Sequence, residues 1–144
     1  MAKQQLVLDY VQAGKVRLVY RNLPVLGEAS LRAAVAAEAA AEQGAFWPYH
    51  DRLFELLAAE GSGAFTDDRF RTLAAELGLD LRKWSASYAS PQVLDRVQNE
   101  ARVGQQLGVR TTPTFFIAGQ KVEGAQDYSV LKALIDQSLV ATGK

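Results

Sequence analysis

Cysteine is absent from this chain of 144 residues. That excludes disulfides, thiolate metal sites and cysteine nucleophiles together. Histidine occurs once, as His50, so a cluster of imidazole ligands is excluded too. Net charge is also lacking, because 16 basic side chains balance 16 acidic ones. A neutral chain has no general attraction for nucleic acid or acidic membrane, and no local basic patch stands out. No apolar run approaches the ~20 residues needed to cross a bilayer. The opening MAKQQLVLDY has no apolar core segment and no small-residue cleavage site, so it does not read as a secretory signal. As it stands the chain reads as cytoplasmic; an incomplete N-terminus would leave an extracytoplasmic setting open. What remains is ordinary for a globular protein: 49% hydrophobic and 22% charged residues, enough for one domain over 1–144 with its own core.

Two kinds of pattern run along the chain. Residues 15–21 alternate Val16, Leu18 and Tyr20 against Arg17, Val19 and Arg21, which predicts a strand ended by Pro24. Before it, Leu6, Val7, Tyr10 and Val11 fall at helical spacing and Gly14 suits a helix end. That favours a helix over Gln4–Gln12; the other reading is a strand hairpinned onto 15–21. Then the signals become helical. An alanine-rich stretch covers 29–43 and stops at Gly44. Pro48 sits in the first turn of a helix whose apolar positions are Phe46, Tyr49, Leu53, Phe54, Leu56 and Leu57. Thr66 caps 67–77, Asp80 caps a short segment through Trp84, and Ser90-Pro91 opens 91–107. After Gly108 the pattern changes to a hairpin, with strand 114–118, a turn at Ala118-Gly119-Gln120 and strand 121–123. Asp127 can cap a last helix, 128–140, with an apolar face of Val130, Leu131, Leu134, Ile135 and Leu139. One strand is thus separated from a terminal ββα unit by some ninety residues of helix, an α/β order.

Several words of this sequence, in this order, resemble the DsbA-like branch of the thioredoxin superfamily. They are Gly14-Lys15-Val16-Arg17-Leu18-Val19-Tyr20-Arg21-Asn22-Leu23-Pro24, then 43–54 (QGAFWPYHDRLF), Leu77-Gly78-Leu79-Asp80 and, most specific, 108–119 (GVRTTPTFFIAG). The resemblance covers essentially the whole chain. It implies a thioredoxin-like α/β fold with a helical insertion at about 29–107, and an ancestry among thiol–disulfide oxidoreductases and disulfide isomerases. It also implies that Thr112-Pro113 is the family's cis-proline loop, which offers main-chain groups to an extended polypeptide. Thr111, Thr112 and Pro113 are therefore the candidate substrate-binding residues. Thr111 stands where relatives often carry glycine, and its branched side chain tolerates fewer backbone angles.

The departures matter as much. The family's Cys-x-x-Cys lies at the start of its first helix, where the helix N-terminus lowers the thiol pKa. Here the match begins in the back half of that helix, as in a chain truncated at its N-terminus, and no cysteine follows. No catalytic residue can be assigned, no cofactor is called for, and thiol–disulfide exchange is excluded for these residues. Whether the chain is an enzyme is left open. The alternatives are a non-catalytic module that binds peptide or protein, and a relative of the kappa-type glutathione transferases. The latter use a serine near the first helix, and this chain has none before Ser30. The family's strand between those matching 15–21 and 114–118 is missing as well. Both neighbours would then keep an open edge, and a homodimer or larger assembly is expected through those edges or by exchange of Leu6–Val11.

Other residues have plainer readings. His50 lies among Phe46 and Phe54, where packing and hydrogen bonding outweigh a role as general base, since no nucleophile lies nearby. Trp47, Tyr49, Phe46 and Phe54 at helical spacing read as core before they read as a ligand pocket. Asp67 and Asp68 read as favourable charge at a helix N-terminus rather than as metal ligands.

Overall fold

The structure is a computed structural model and describes residues 2–143. It divides into two compact units, Met1–Arg21 with Gln105–Lys144, and Asn22–Gly104.

The second unit is all helix. Its elements are α2 (Gly27–Ala41), α3 (Phe46–Glu60), α4 (Asp67–Glu76), α5 (Leu81–Tyr88) and most of α6 (Pro91–Gln106). Alanine makes α2 slim: Ala33, Ala36, Ala37, Ala39 and Ala40 are all buried. Aromatic side chains can therefore approach its backbone. Tyr49, Phe70 and Trp84 fill the centre, and each buried polar tip is answered. The Tyr49 hydroxyl donates to Phe70 O at 2.7 Å, and the Trp84 indole N–H donates to Ala36 O at 3.2 Å. Burial of side chains this large supplies most of the unit's stability. The helix ends are set by local chemistry. Thr66 accepts from Arg69 N, and the Asp80 carboxylate accepts from Arg82 N and Lys83 N at 2.9 and 3.1 Å. Those bonds hold the Asp80 carboxyl below its usual range. The capped segment runs to Tyr88, past its expected end at Trp84, because the Tyr88 ring stacks on Trp84 with centroids 4.9 Å apart.

Asn22, at the entry to this unit, is the one buried polar residue among those described. Its side-chain amide donates to Glu38 of α2 and Glu100 of α6, at 2.8 and 2.9 Å, and its main-chain N–H donates to the same Glu100 carboxylate at 2.8 Å.

The first unit begins with α1 (Ala2–Leu6), which widens into a π turn over Val7–Val11 and closes with Gln12 N donating to Val7 O at 2.9 Å. The helical reading of this segment is the correct one. Leu6 and Tyr10 are buried with Ile135 of α7 (Tyr128–Ala141). The Tyr10 hydroxyl donates to the Asp136 carboxylate, which also accepts from Lys132; nearby, the Tyr128 hydroxyl donates to Asp9. The hairpin comprises β1 (Thr114–Ile117) and β2 (Gln120–Glu123), antiparallel, with Thr114 opposite Glu123 and Ile117 opposite Gln120. Its two-residue turn, Ala118-Gly119, has φ of 50° and 87°, the positive values that a tight hairpin of the right twist requires.

Residues 15–21 are the main correction, because they form no strand. The alternation holds in part: Val16 and Leu18 pack against the Leu6–Tyr10–Ile135 cluster while Arg17 and Val19 are exposed, but Tyr20, expected on the inner face, is exposed as well. A strand, however, is defined by its ladder, and among the described residues the sheet contains β1 and β2 alone. Asp127 is also corrected. It holds the N-cap position of α7, but its side chain accepts no capping hydrogen bond.

Candidate functional site

Helix α6 stops at Gln106, and Gly108, at φ 73°, turns the chain into the loop before β1. In that loop Thr111, Thr112 and Pro113 are all exposed, and the Thr112–Pro113 peptide bond is cis. The structure therefore brings together the three residues singled out by the sequence. Both ends of the loop are fastened. The Thr114 hydroxyl donates to Thr111 O at 2.7 Å, and Gly124 N donates to Pro113 O at 2.8 Å, extending the hairpin by one link. Lys121 of β2 reaches back to donate to Gly108 O at 3.2 Å and pairs with Glu123 at 2.8 Å. That lysine is the main reason the Glu123 carboxyl is held below its usual range; the positive charge of Arg110 adds to it. Between the two fastened carbonyls, the Thr112 N–H and C=O meet no partner among the described residues. On the strand that follows, β1 pairs on one side only, with β2.

Sequence reading missed Lys121, Gly124 and Arg110. The first two act through main-chain carbonyls that no residue pattern marks. Arg110 stood inside the most specific sequence word and could have been noticed for its charge.

The other candidates divide. His50 Nδ1 donates to Asp51 Oδ1 at 2.9 Å, and its ring lies against Phe46, Trp47 and Phe54, which is a packed, hydrogen-bonded histidine. Of the four aromatic residues read as core, Tyr49 is fully buried and Phe46 and Trp47 are half-buried. Phe54 is 53% exposed and corrects the expectation. Asp67 accepts from Tyr88 and Arg32, while no group of metal-ligating side chains occurs among the described residues. A groove of about 260 Å³ lies between α3 and α4, but its arginines are already paired, Arg52 with Glu76 and Arg69 with Glu60. Among the described residues no helix is long and apolar enough to cross a membrane.

The Thr111–Pro113 loop can therefore offer main-chain hydrogen bonds beside an open strand. No residue of the chain carries a thiol.

Comparison with known proteins places this arrangement. Residues 2–137 match the family model described as Thioredoxin. The solved thiol-disulfide exchange protein alpha-DsbA2 from Wolbachia pipientis superposes with a TM-score of 0.78 and 26% identity, over 94% of this chain and 70% of that one. A probable disulfide bond formation protein D of Bacillus anthracis is 24% identical over 91% of this chain and 61% of its own length. A protein of Herminiimonas arsenicoxydans named Na(+)/H(+) antiporter NhaA is 36% identical over 123 residues, which are 85% of this chain and 19% of the antiporter. The chain thus spans about a fifth of the antiporter-named relative and about three fifths of the disulfide bond formation protein.

Proposed function

Because the chain belongs to the thioredoxin superfamily, in its DsbA-like branch, we propose that these residues keep the family's polypeptide-holding loop without its redox chemistry. The observation that carries this reading is the conjunction of zero cysteines with an exposed, unpaired Thr112 main chain beside a half-paired strand. An extended polypeptide would pair with Thr112 and continue along the free edge of β1. Main-chain hydrogen bonds would supply affinity and alternate side chains the selectivity. Thiol–disulfide exchange needs a thiolate to attack sulfur, and this chain supplies none.

Two measurements test the two halves. In insulin-reduction and dithiol-oxidation assays the purified chain should stay at background; turnover that survives further purification overturns the redox half. Amide spectra recorded while an extended, apolar-alternating peptide is added should shift first at Thr111, Thr112 and β1. No shift at saturating peptide overturns the binding half. A second copy is the rival occupant of the β1 edge, and light scattering at micromolar concentration reports that homodimer directly.

A further inference from the structure

We propose that Arg110 selects an acidic residue on the polypeptide held by the Thr111–Pro113 loop. The inference rests on the reading of that loop as a peptide site and adds the chemistry of what it accepts.

Charge around the loop is uneven in a specific way. Within the loop and hairpin, residues 108–124, the charged side chains are Arg110, Lys121 and Glu123, all exposed. Lys121 is doubly engaged, with the Glu123 carboxylate at 2.8 Å and the Gly108 carbonyl at 3.2 Å. Its ammonium is committed to fastening the hairpin to the start of the loop. Glu123 is in turn answered by Lys121 at hydrogen-bond distance, and the influence of Arg110 on it is the longer-range, purely coulombic one. The Arg110 guanidinium is left with no hydrogen-bonded carboxylate among the described residues. Within 108–124, two cations against one anion leave one positive charge, and it resides on the group with donors to spare.

Position makes that charge useful. Arg110 lies two residues before Thr112, so at most about 7 Å of chain separates them. A five-donor planar fork at that distance flanks any strand that hydrogen-bonds to Thr112. A carboxylate is the partner a guanidinium fits with two parallel hydrogen bonds. An ammonium on the bound chain would instead meet like charge. Arg110 would thus be a specificity residue, while Thr112 supplies the sequence-independent hydrogen bonds.

The test uses three labelled peptides, identical except for Glu, Gln or Lys at the position facing Arg110, titrated at low and high salt. An exposed pair is worth roughly a threefold preference for Glu over Gln at low salt, with Lys weakest. The preference should collapse in high salt, where the charges are screened. Arg110→Glu should reverse the order, and Arg110→Gln should abolish it. Arg110 is exposed and carries no packing load, so both variants should fold, and circular dichroism checks this. Equal affinity for all three peptides overturns this inference and leaves the loop as a peptide site. Absence of binding by every peptide overturns the peptide site itself, and the selectivity with it.

Discussion

The two units of this molecule solve the same problem with opposite success. In Asn22–Gly104 every element is a helix, which satisfies its own main chain internally, and the two buried polar aromatic side chains find carbonyls, Tyr49 on Phe70 and Trp84 on Ala36, although the buried Arg32 Nε has no partner among the described residues. The other unit relies on a two-stranded hairpin whose first strand pairs with β2 alone among the described residues, and its 15–21 segment forms no strand. Both units expose some apolar side chains, Val19 and Phe116 in one and Leu26 and Phe54 in the other, but the helical unit encloses its largest rings, Tyr49, Phe70 and Trp84. Closure and availability are thus allotted to different parts of one chain. The unit whose strand has an open edge is the one that carries the candidate loop.

The sharpest way to break this contrast is to hollow out the closed unit. Phe70→Ala removes a ring with no exposure and should cost about 3–5 kcal/mol in denaturant unfolding. A loss under about 1 kcal/mol would show that the helical unit repacks freely and is not the tightly closed body described. In the open unit one long-range lock is the Tyr10 hydroxyl on Asp136. Tyr10→Phe should cost about 0.5–1.5 kcal/mol near neutral pH. The Asp136 carboxyl is held below its usual range, first by Lys132 and then by Tyr10. A depressed folded-state pKa stabilises above the ordinary carboxylate range, and that stabilisation is lost as pH falls through the depressed value. Wild type and variant should therefore converge in acid, and curves that stay parallel throughout the acid transition would mean that charge plays no part in the lock. The smallest effect belongs to the hairpin turn. Ala118 holds a positive φ that asparagine tolerates better, so Ala118→Asn should stabilise by up to about 1 kcal/mol. Thermal melts that fall instead would show the alanine methyl to be packed.

What the sequence made legible was whatever is decided within a few residues. Thr66 and Asp80 were readable as caps because a cap is a bond to an N–H two or three positions away. The hairpin was readable because its turn demands particular φ values. The Thr111–Pro113 loop was readable through its match to relatives, not through any local rule. The segment 15–21 shows the limit: alternation reports which side chains face a core, but a ladder depends on a partner far away in sequence. The same applies to Asn22 with Glu38 and Glu100, and to Tyr10 with Asp136, which are 126 positions apart. The π turn at Val7–Val11 gives no signal either, because one additional residue per turn leaves the apolar spacing nearly helical.

The placement of tryptophan has an optical consequence. Both indoles, Trp47 and Trp84, belong to Asn22–Gly104, and the other unit has no indole, only the phenols of Tyr10, Tyr20 and Tyr128 and the phenyl rings of Phe115 and Phe116. Light absorbed at the red edge of the aromatic band therefore excites the helical unit alone. Trp84 is buried and stacked on Tyr88, so its emission is tied to that packing. The hairpin unit is dark in this channel. The wild-type protein thus carries a built-in reporter that follows the unfolding of one unit, while far-ultraviolet dichroism follows both. The gap between the two traces measures how independently the halves melt, with no label attached.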